Sequence, residues 1–282
     1  MNKYLSLIKF SHTIFAMPFA FIGFFLATKS DGFEWNTLIY VIFCMVFARS
    51  SAMAFNRYID RDIDTKNERT AKVREIPNGT ITPKNALFFV IMNSFLFVAT
   101  TYFINTLCFA LSPIALLVIL GYSYTKRFTS LCHLVLGLGL SLAPIGAYLA
   151  VSGEFNIIPL FFSAAVLFWV SGFDIIYSLQ DEEFDKTYEL HSIPVLLGKK
   201  NALMLSNILH LLTFSALSIA GSLGDFSLYY WIGFWIFSAL LIYQHTLVKH
   251  NDLSRINLAF FTTNGIASVI FSAFVIADLL IK

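Results

Sequence analysis

Two clusters of acidic side chains are the strongest chemical feature of this sequence. Asn56, Asp60 and Asp64 follow one another at intervals of four residues, and Asp181 and Asp185 repeat that interval further along the chain. Residues four apart lie on one face of an α-helix, so each cluster would present a row of oxygen atoms. Because magnesium prefers oxygen ligands and shares them with substrate phosphates, the two rows predict a magnesium site for a diphosphate.

Basic side chains near the first cluster could bind the same diphosphate. Arg69, Lys72 and Arg74 follow it in the sequence, and we expect them to neutralise the leaving group together with Lys126. Tyr122 lies four residues before Lys126, so that a phenol and an ammonium could hold one phosphate oxygen. The alternative is ordinary interfacial anchoring and the usual excess of basic residues on one side of a membrane.

Composition identifies the solvent around these residues. Hydrophobic residues make up 57% of the 282 positions and charged residues only 13%, whereas soluble domains carry roughly a quarter charged residues. So few charges cannot cover a water-facing surface, so the chain must lie largely in lipid. The net charge of +2 argues against a nucleic-acid partner, and the three cysteines lack the spacing of a zinc site or a disulfide framework.

The apolar runs predict an all-α integral membrane protein with nine transmembrane helices in a bundle around a central cavity. We treat residues 1–282 as a single domain, whose longer loops, about 57–84 and 180–202, cap the site. Each run is close to the roughly 20 residues that cross a bilayer. The predicted spans are 12–29, 37–56, 85–104, 107–124, 131–151, 157–179, 203–221, 228–247 and 258–280.

The distribution of charge predicts the orientation of these helices. With a cytoplasmic N-terminus, every basic residue except Lys29 and Lys282 lies on or near the cytoplasmic side. A parallel repeat of four helices, followed by one more helix, is also indicated. Three pairs of polar residues share one offset of 121 residues: His12 and His133, Asp60 and Asp181, and Asp64 and Asp185. Both acidic rows would then lie on the cytoplasmic side.

These motifs together resemble the UbiA-type aromatic prenyltransferase superfamily, and most of all its 4-hydroxybenzoate polyprenyltransferase branch. The resemblance extends over essentially the whole chain. One departure is that the stretch before Arg74 is a residue longer than the family pattern, which leaves open whether Lys72 or Arg74 binds phosphate. The shared motifs are Asn56-x3-Asp60-x3-Asp64, Arg69-Thr70, Arg74-Glu-Ile-Pro77-Asn-Gly79, Tyr122-x3-Lys126, Phe173-Asp174-Ile-Ile-Tyr177, Gln180-Asp181-x3-Asp185, His191-Ser192-Ile-Pro194 and Gly198.

The resemblance implies a reaction and its participants. Asn56 and the four aspartates would position Mg²⁺ and a polyprenyl diphosphate, an allylic carbocation would form as diphosphate departs, and an aromatic acid would attack it through a ring carbon. It also implies ubiquinone or menaquinone synthesis in a bacterial inner membrane. No obligate protein partner is evident from the sequence. Tyr177 lies among the motif residues near the substrates.

Three ionisable residues in or beside apolar segments remain to be placed. Arg49 lies one heptad before Asn56, so it would pair either with the acceptor's carboxylate or with Asp174. Asp174 is otherwise a hydrogen-bonded acid at a helix end. His12 would contact the acceptor or take its proton, whereas a hydrogen bond between helices is the alternative, which we prefer for His133.

Alternative functions differ in what the acidic rows would do. A dihydroxynaphthoate acceptor, leading to menaquinone, is as compatible with Arg49 as 4-hydroxybenzoate. A transporter would use Arg49, Asp174 and the acidic rows for ion coupling, but its polar groups would lie near the membrane midplane rather than at one face. A CDP-alcohol phosphotransferase would need an Asp-Gly pair upstream of Ala48-Arg49, and the sequence has none.

Overall fold

A computed structural model describes residues 2–8 and 16–281, and the regular structure in these residues is helical. A 3₁₀ turn, Leu179–Asp181, follows α9, and a π-helical segment, Leu258–Thr263, precedes α13. The helices are α1 Asn2–Leu7, α2 Met17–Asp31, α3 Trp35–Ile59, α4 Arg61–Lys66, α5 Glu68–Ala71, α6 Pro83–Ile104, α7 Thr106–Thr125, α8 Cys132–Ser152, α9 Ile157–Ser178, α10 Glu182–Thr187, α11 Ile193–Leu223, α12 Leu228–Leu247 and α13 Asn264–Ile281.

The helical class predicted from the sequence is confirmed, and a helix occupies the described part of each predicted span. Within the described residues, seven helical stretches are long and apolar enough to cross a membrane. Of the other two helices, α2 has 15 described residues and α12 carries several tyrosines and tryptophans. The count of nine crossings and the internal repeat therefore stay predictions. The seven stretches are α3, α6, α7, α8, α9 with its continuation to Thr187, α11, and the π-helical segment with α13.

Small residues let the helices of the bundle approach closely. The helix α8 packs against α2 and α9, α9 packs against α11, and α3 packs against α6 and α7. A Cβ atom on Gly23 of α2 would lie 2.0 Å from the carbonyl oxygen of Pro144 on α8, so only glycine permits this contact. Aromatic rings fill the centre of the bundle, where the ring centroids of Phe19 and Trp169 are 5.3 Å apart.

The two loops predicted to cap the site are partly helical. The first contains α4 and α5, and the second contains α10. The helix α11 begins ten residues before the predicted span, because Ser192 caps it by accepting a hydrogen bond from the backbone N–H of Val195 (3.4 Å). The helix is kinked at Gly198, whose φ of 74° favours glycine. The span was predicted to begin only at residue 203 because the polar residues that follow this kink interrupt the apolar sequence.

Candidate active site at one end of the bundle

The first acidic row keeps helical geometry beyond the end of α3. The backbone N–H of Asp60 donates to the carbonyl of Asn56 (2.9 Å), and that of Asp64 donates to the carbonyl of Asp60 (2.7 Å). All three side chains therefore lie on one face, as the spacing predicts. The Asn56 side-chain amide donates to Asp60 Oδ2 at 3.0 Å. Asp60 and Asp64 are both buried.

Each buried carboxylate of this row is paired with a cation from another segment. Lys126 Nζ lies 2.9 Å from Asp60 Oδ2, and Arg74 forms an ion pair with Asp64. Lys72, in contrast, is exposed, and it contacts the rest of its loop through its carbonyl oxygen, which accepts from Asn78. Of the two candidates for one phosphate-binding role, only Arg74 is in contact with the acidic row.

Arg69, on α5 just after the first acidic row, binds the second row. Its guanidinium group binds Asp181 in a bidentate manner, with Nε 3.1 Å from Oδ1 and Nη2 2.6 Å from Oδ2. Nη1 donates to the hydroxyl of Tyr177 at 3.2 Å. Partial burial acts to lower the pKa of Arg69, but the charge of Asp181 and these hydrogen bonds outweigh it and raise that pKa. Arg69 therefore stays charged beside the second row.

Asp185 and Tyr177 complete the second row. Asp185 is half-buried and lies within electrostatic reach of Asp181 and Lys126. The Tyr177 ring packs on Phe260 of the π-helical segment, with 4.1 Å between ring centroids. Both rows and the cations between them thus lie at the same end of the bundle.

An apolar cavity of about 410 Å³ begins beside this polar cluster. Its volume falls within the roughly 300–1,000 Å³ of small-molecule sites. Arg49 and Tyr122 contribute charged and phenolic groups to its wall, and most other lining side chains are aliphatic. The Arg49 Nε atom is buried and has no hydrogen-bond partner among the described residues. A buried guanidinium nitrogen without a partner is costly, so this end of the cavity favours an anion.

Asp174 pairs with a histidine rather than with Arg49. His133 Nδ1 lies 2.7 Å from Asp174 Oδ2, and the backbone N–H of Ile193 donates to His133 Nε2 at 3.3 Å. Because Nε2 accepts, the ring proton is on Nδ1 and is donated to Asp174. This pair links α8, α9 and the start of α11, the inter-helix role that we preferred for His133. His12 lies outside the described residues.

Two arginines of the site were interpreted from the sequence only as charges on the cytoplasmic side. Arg57 is buried and donates to the side-chain oxygen of Asn56 at 3.2 Å. Arg127 Nη2 donates to the carbonyl of Ile59 at 2.7 Å, and lies 3.6 Å from Asp60 Oδ1. Their positions directly after Asn56 and Lys126 were the available signal.

The donor atoms at this site fit a magnesium ion. Asp60 Oδ1 and Asp64 Oδ2 are buried and lack a hydrogen-bond donor among the residues described. In residues 2–8 and 16–281, no three acidic, histidine or cysteine side chains come close enough to hold a metal alone. Magnesium is commonly held by one or two carboxylates together with substrate phosphates. Asn56 and the aspartates therefore suit an ion that arrives with a diphosphate.

Known proteins with similar sequences and folds bear on this site. The model of the UbiA prenyltransferase family matches residues 16–266. The chain is 32% identical over 253 residues to the 4-hydroxybenzoate octaprenyltransferase of Aliivibrio fischeri (strain MJ11), covering 88% of this chain and 86% of that protein. For the enzyme of the same name from Aliivibrio salmonicida, the identity is 35% over 258 residues, covering 88% and 87% of the two chains.

Solved structures share the fold. An apo UbiA homologue from Aeropyrum pernix K1 has a TM-score of 0.86 at 31% identity, covering 95% of this chain and 98% of that chain. A UbiA homologue from Archaeoglobus fulgidus bound to DMAPP and Mg²⁺ has a TM-score of 0.76 at 22% identity, covering 99% of this chain and 100% of that chain.

Proposed function

The chain belongs to the UbiA prenyltransferase family, and on this premise we propose that it transfers a polyprenyl group from its diphosphate to 4-hydroxybenzoate or a similar aromatic acid. It is a multi-pass membrane protein and an aromatic prenyltransferase. The observation that carries the proposal is the bidentate contact of Arg69 with Asp181, because it holds the helix that follows the first acidic row against the second row, at the polar end of an apolar cavity.

The diphosphate would bind between the two rows. Magnesium, when bound to these carboxylates, would neutralise the charge that develops on the departing diphosphate. Arg69, Arg74 and Lys126 already touch the carboxylates, so a small side-chain movement would bring them to phosphate oxygens. Arg57 and Arg127, which lie beside the first row, would add positive charge on the same side.

The prenyl chain would occupy the apolar cavity. The cavity begins at Arg49 and Tyr122 and continues between α3, α7 and α8 towards the opposite end of the bundle. An apolar enclosure also protects the reacting allylic carbon from water while it is cationic. The C–O bond would break with its electron pair leaving on the diphosphate, a ring carbon of the acceptor would form the new C–C bond, and the ring would lose a proton.

Arg49 would bind the carboxylate of the acceptor. Its Nε is buried without a partner, and Asp174 is engaged by His133 instead. A carboxylate is the anion whose shape matches a guanidinium group, through two parallel hydrogen bonds. A dihydroxynaphthoate would satisfy Arg49 equally well, so both acceptors belong in the test. Quinone synthesis in a bacterial inner membrane, with both rows on its cytoplasmic face, is the setting that we propose.

Purified protein in detergent or nanodiscs, given magnesium and geranyl diphosphate, tests the proposal. 4-Hydroxybenzoate and 1,4-dihydroxy-2-naphthoate are supplied separately, and products are identified by mass. 4-Hydroxybenzyl alcohol is the matched control because it keeps the phenol but lacks the carboxylate. We expect transfer to 4-hydroxybenzoate and little to the alcohol. If neither acid gains a prenyl group, the assigned acceptor class is wrong.

Variants of the two rows separate the site from the fold. Asp60→Ala and Asp181→Ala are expected to abolish turnover, because each removes a carboxylate that we assign to magnesium. Asp62→Ala is the control, since Asp62 is exposed and lies off the row. All three variants should elute as folded protein. Full activity in Asp60→Ala or Asp181→Ala would contradict a site built from two rows.

A further inference from the structure

We infer that two glycines of α8, Gly139 and Gly146, determine how long a prenyl chain the cavity accepts. The inference rests on the proposed function, because it assumes that the apolar cavity holds the chain of the donor. It adds the residues that would limit the donor's length.

The cavity has one polar end and one long apolar arm. Arg49 and Tyr122 form the polar end, and the arm follows α7 as far as Cys108. Tyr122 and Cys108 are 14 residues apart, which is about 21 Å along a helix. Just beyond this end, Lys126, four residues after Tyr122, pairs with Asp60 of the first acidic row. A donor whose diphosphate binds at the acidic rows and whose apolar chain lies in the arm matches this distribution.

Gly139 and Gly146 line the arm without being needed for helix packing. A Cβ atom on Gly146 would meet no other atom within 4 Å, and the nearest atom to one on Gly139 would be Ile119 Cγ2 at 3.7 Å. By comparison, a Cβ atom on Gly137 of the same helix would lie 2.4 Å from the carbonyl oxygen of Leu167. Gly137 is thus required by the contact between α8 and α9, whereas the two cavity glycines are not.

Glycine within a helix lowers stability relative to alanine, because it gives up more backbone freedom on folding. No packing contact compensates for this loss at Gly139 or Gly146. Both face the cavity, so their effect is to leave space inside it. We therefore assign that space to the prenyl chain.

The two glycines lie at different depths. The N-terminal end of α8 is on the side of the acidic rows, since Lys126 and Arg127 lie five to six residues before Cys132, where α8 begins, and contact Asp60. Gly146 is seven residues further along α8 than Gly139, or about 10 Å deeper. A large side chain at Gly139 should therefore obstruct the chain nearer its head than one at Gly146.

The experiment compares Gly139→Leu and Gly146→Leu with donors of increasing length, from dimethylallyl through geranyl and farnesyl to solanesyl diphosphate. We expect Gly146→Leu to keep the short donors and to lose at least about tenfold in kcat/KM with the longest. Gly139→Leu should show the same loss of kcat/KM already with a shorter donor. Gly121→Leu is the matched control, because Gly121 is exposed on α7 and does not line the cavity.

We call the donor length at which a variant loses kcat/KM its cutoff. The order of the cutoffs of the two leucine variants tests the inference. An equal loss for every donor, or a shorter cutoff for Gly146→Leu than for Gly139→Leu, would overturn the inference. If a leucine variant does not fold, Gly→Ala and Gly→Val at the same position should shift the cutoff in proportion to side-chain size, and an unchanged cutoff refutes the assignment. Failure of the proposed function itself is distinguishable, since the unsubstituted protein would then transfer no prenyl group.

Discussion

Replacing Lys126 by methionine should lower the free energy of unfolding of the magnesium-free protein. The same substitution should raise the protein's affinity for magnesium. Methionine keeps an unbranched apolar stem but removes the ammonium group that lies 2.9 Å from Asp60 Oδ2. The Asp60 side chain is only 2% exposed, so its carboxylate cannot turn to water instead. Magnesium and Lys126 would compete for the same carboxylate.

The structure sets the size of both effects. Removing one partner of a fully buried ion pair costs about 3–5 kcal/mol. Here the cost should be smaller, because Asn56 still donates to Asp60, Arg127 lies 3.6 Å from Oδ1, and solvent screens Lys126, which is 29% exposed. We expect a loss of about 1–3 kcal/mol in the free energy of unfolding. A competition of that size would raise the affinity for magnesium about 5–150-fold in the variant.

The assay needs no substrate. Unfolding midpoints of the detergent-solubilised protein are recorded against magnesium concentration, and magnesium binding is measured by calorimetry. Lys126→Met should start with a lower midpoint and gain more from magnesium than the wild type. Lys199→Met is the control, because Lys199 lies 3.8 Å from Glu182, which we do not assign to magnesium. An equal gain in the wild type and Lys126→Met would refute the competition between lysine and metal.

Three further predictions concern Arg69, Asp278 and Asn264. Arg69→Lys cannot keep the bidentate contact with Asp181, so it should raise KM for the donor at least about tenfold. Steady-state kinetics at varied donor concentration measure this change, and the unfolding midpoint should stay the same. Asp278→Ala should lower the free energy of unfolding by about 0.5–2 kcal/mol, because Asp278 accepts hydrogen bonds from the backbone N–H groups of Ser227, which precedes α12, and of Tyr230 in its first turn. Turnover per folded molecule should not change. Asn264→Ala leaves the indole N–H of Trp169 without its partner at 2.9 Å, and should cost about 1–3 kcal/mol, measured by thermal unfolding.

The helices and the acidic rows could be predicted because both depend on short stretches of sequence. A run of apolar residues long enough to cross a bilayer predicts a helix without reference to the rest of the chain. In the same way, the four-residue spacing from Asn56 to Asp64 predicts that these side chains lie on one helical face. The helical backbone hydrogen bonds that continue through Asp60 place them there. The start of α11 was missed because Ser192 caps a turn that lies outside the apolar run.

The partners of the charged groups depended on tertiary structure. Arg69 and Asp181 are 112 residues apart, and nothing in the sequence around either indicates their contact. The sequence allowed Arg49 to pair with either the acceptor's carboxylate or Asp174. The packing of α8 on α9 places His133, rather than Arg49, in contact with Asp174. Spacing along a helix acts over a few residues, whereas the choice among several cations for each buried carboxylate is made by which helix ends pack together.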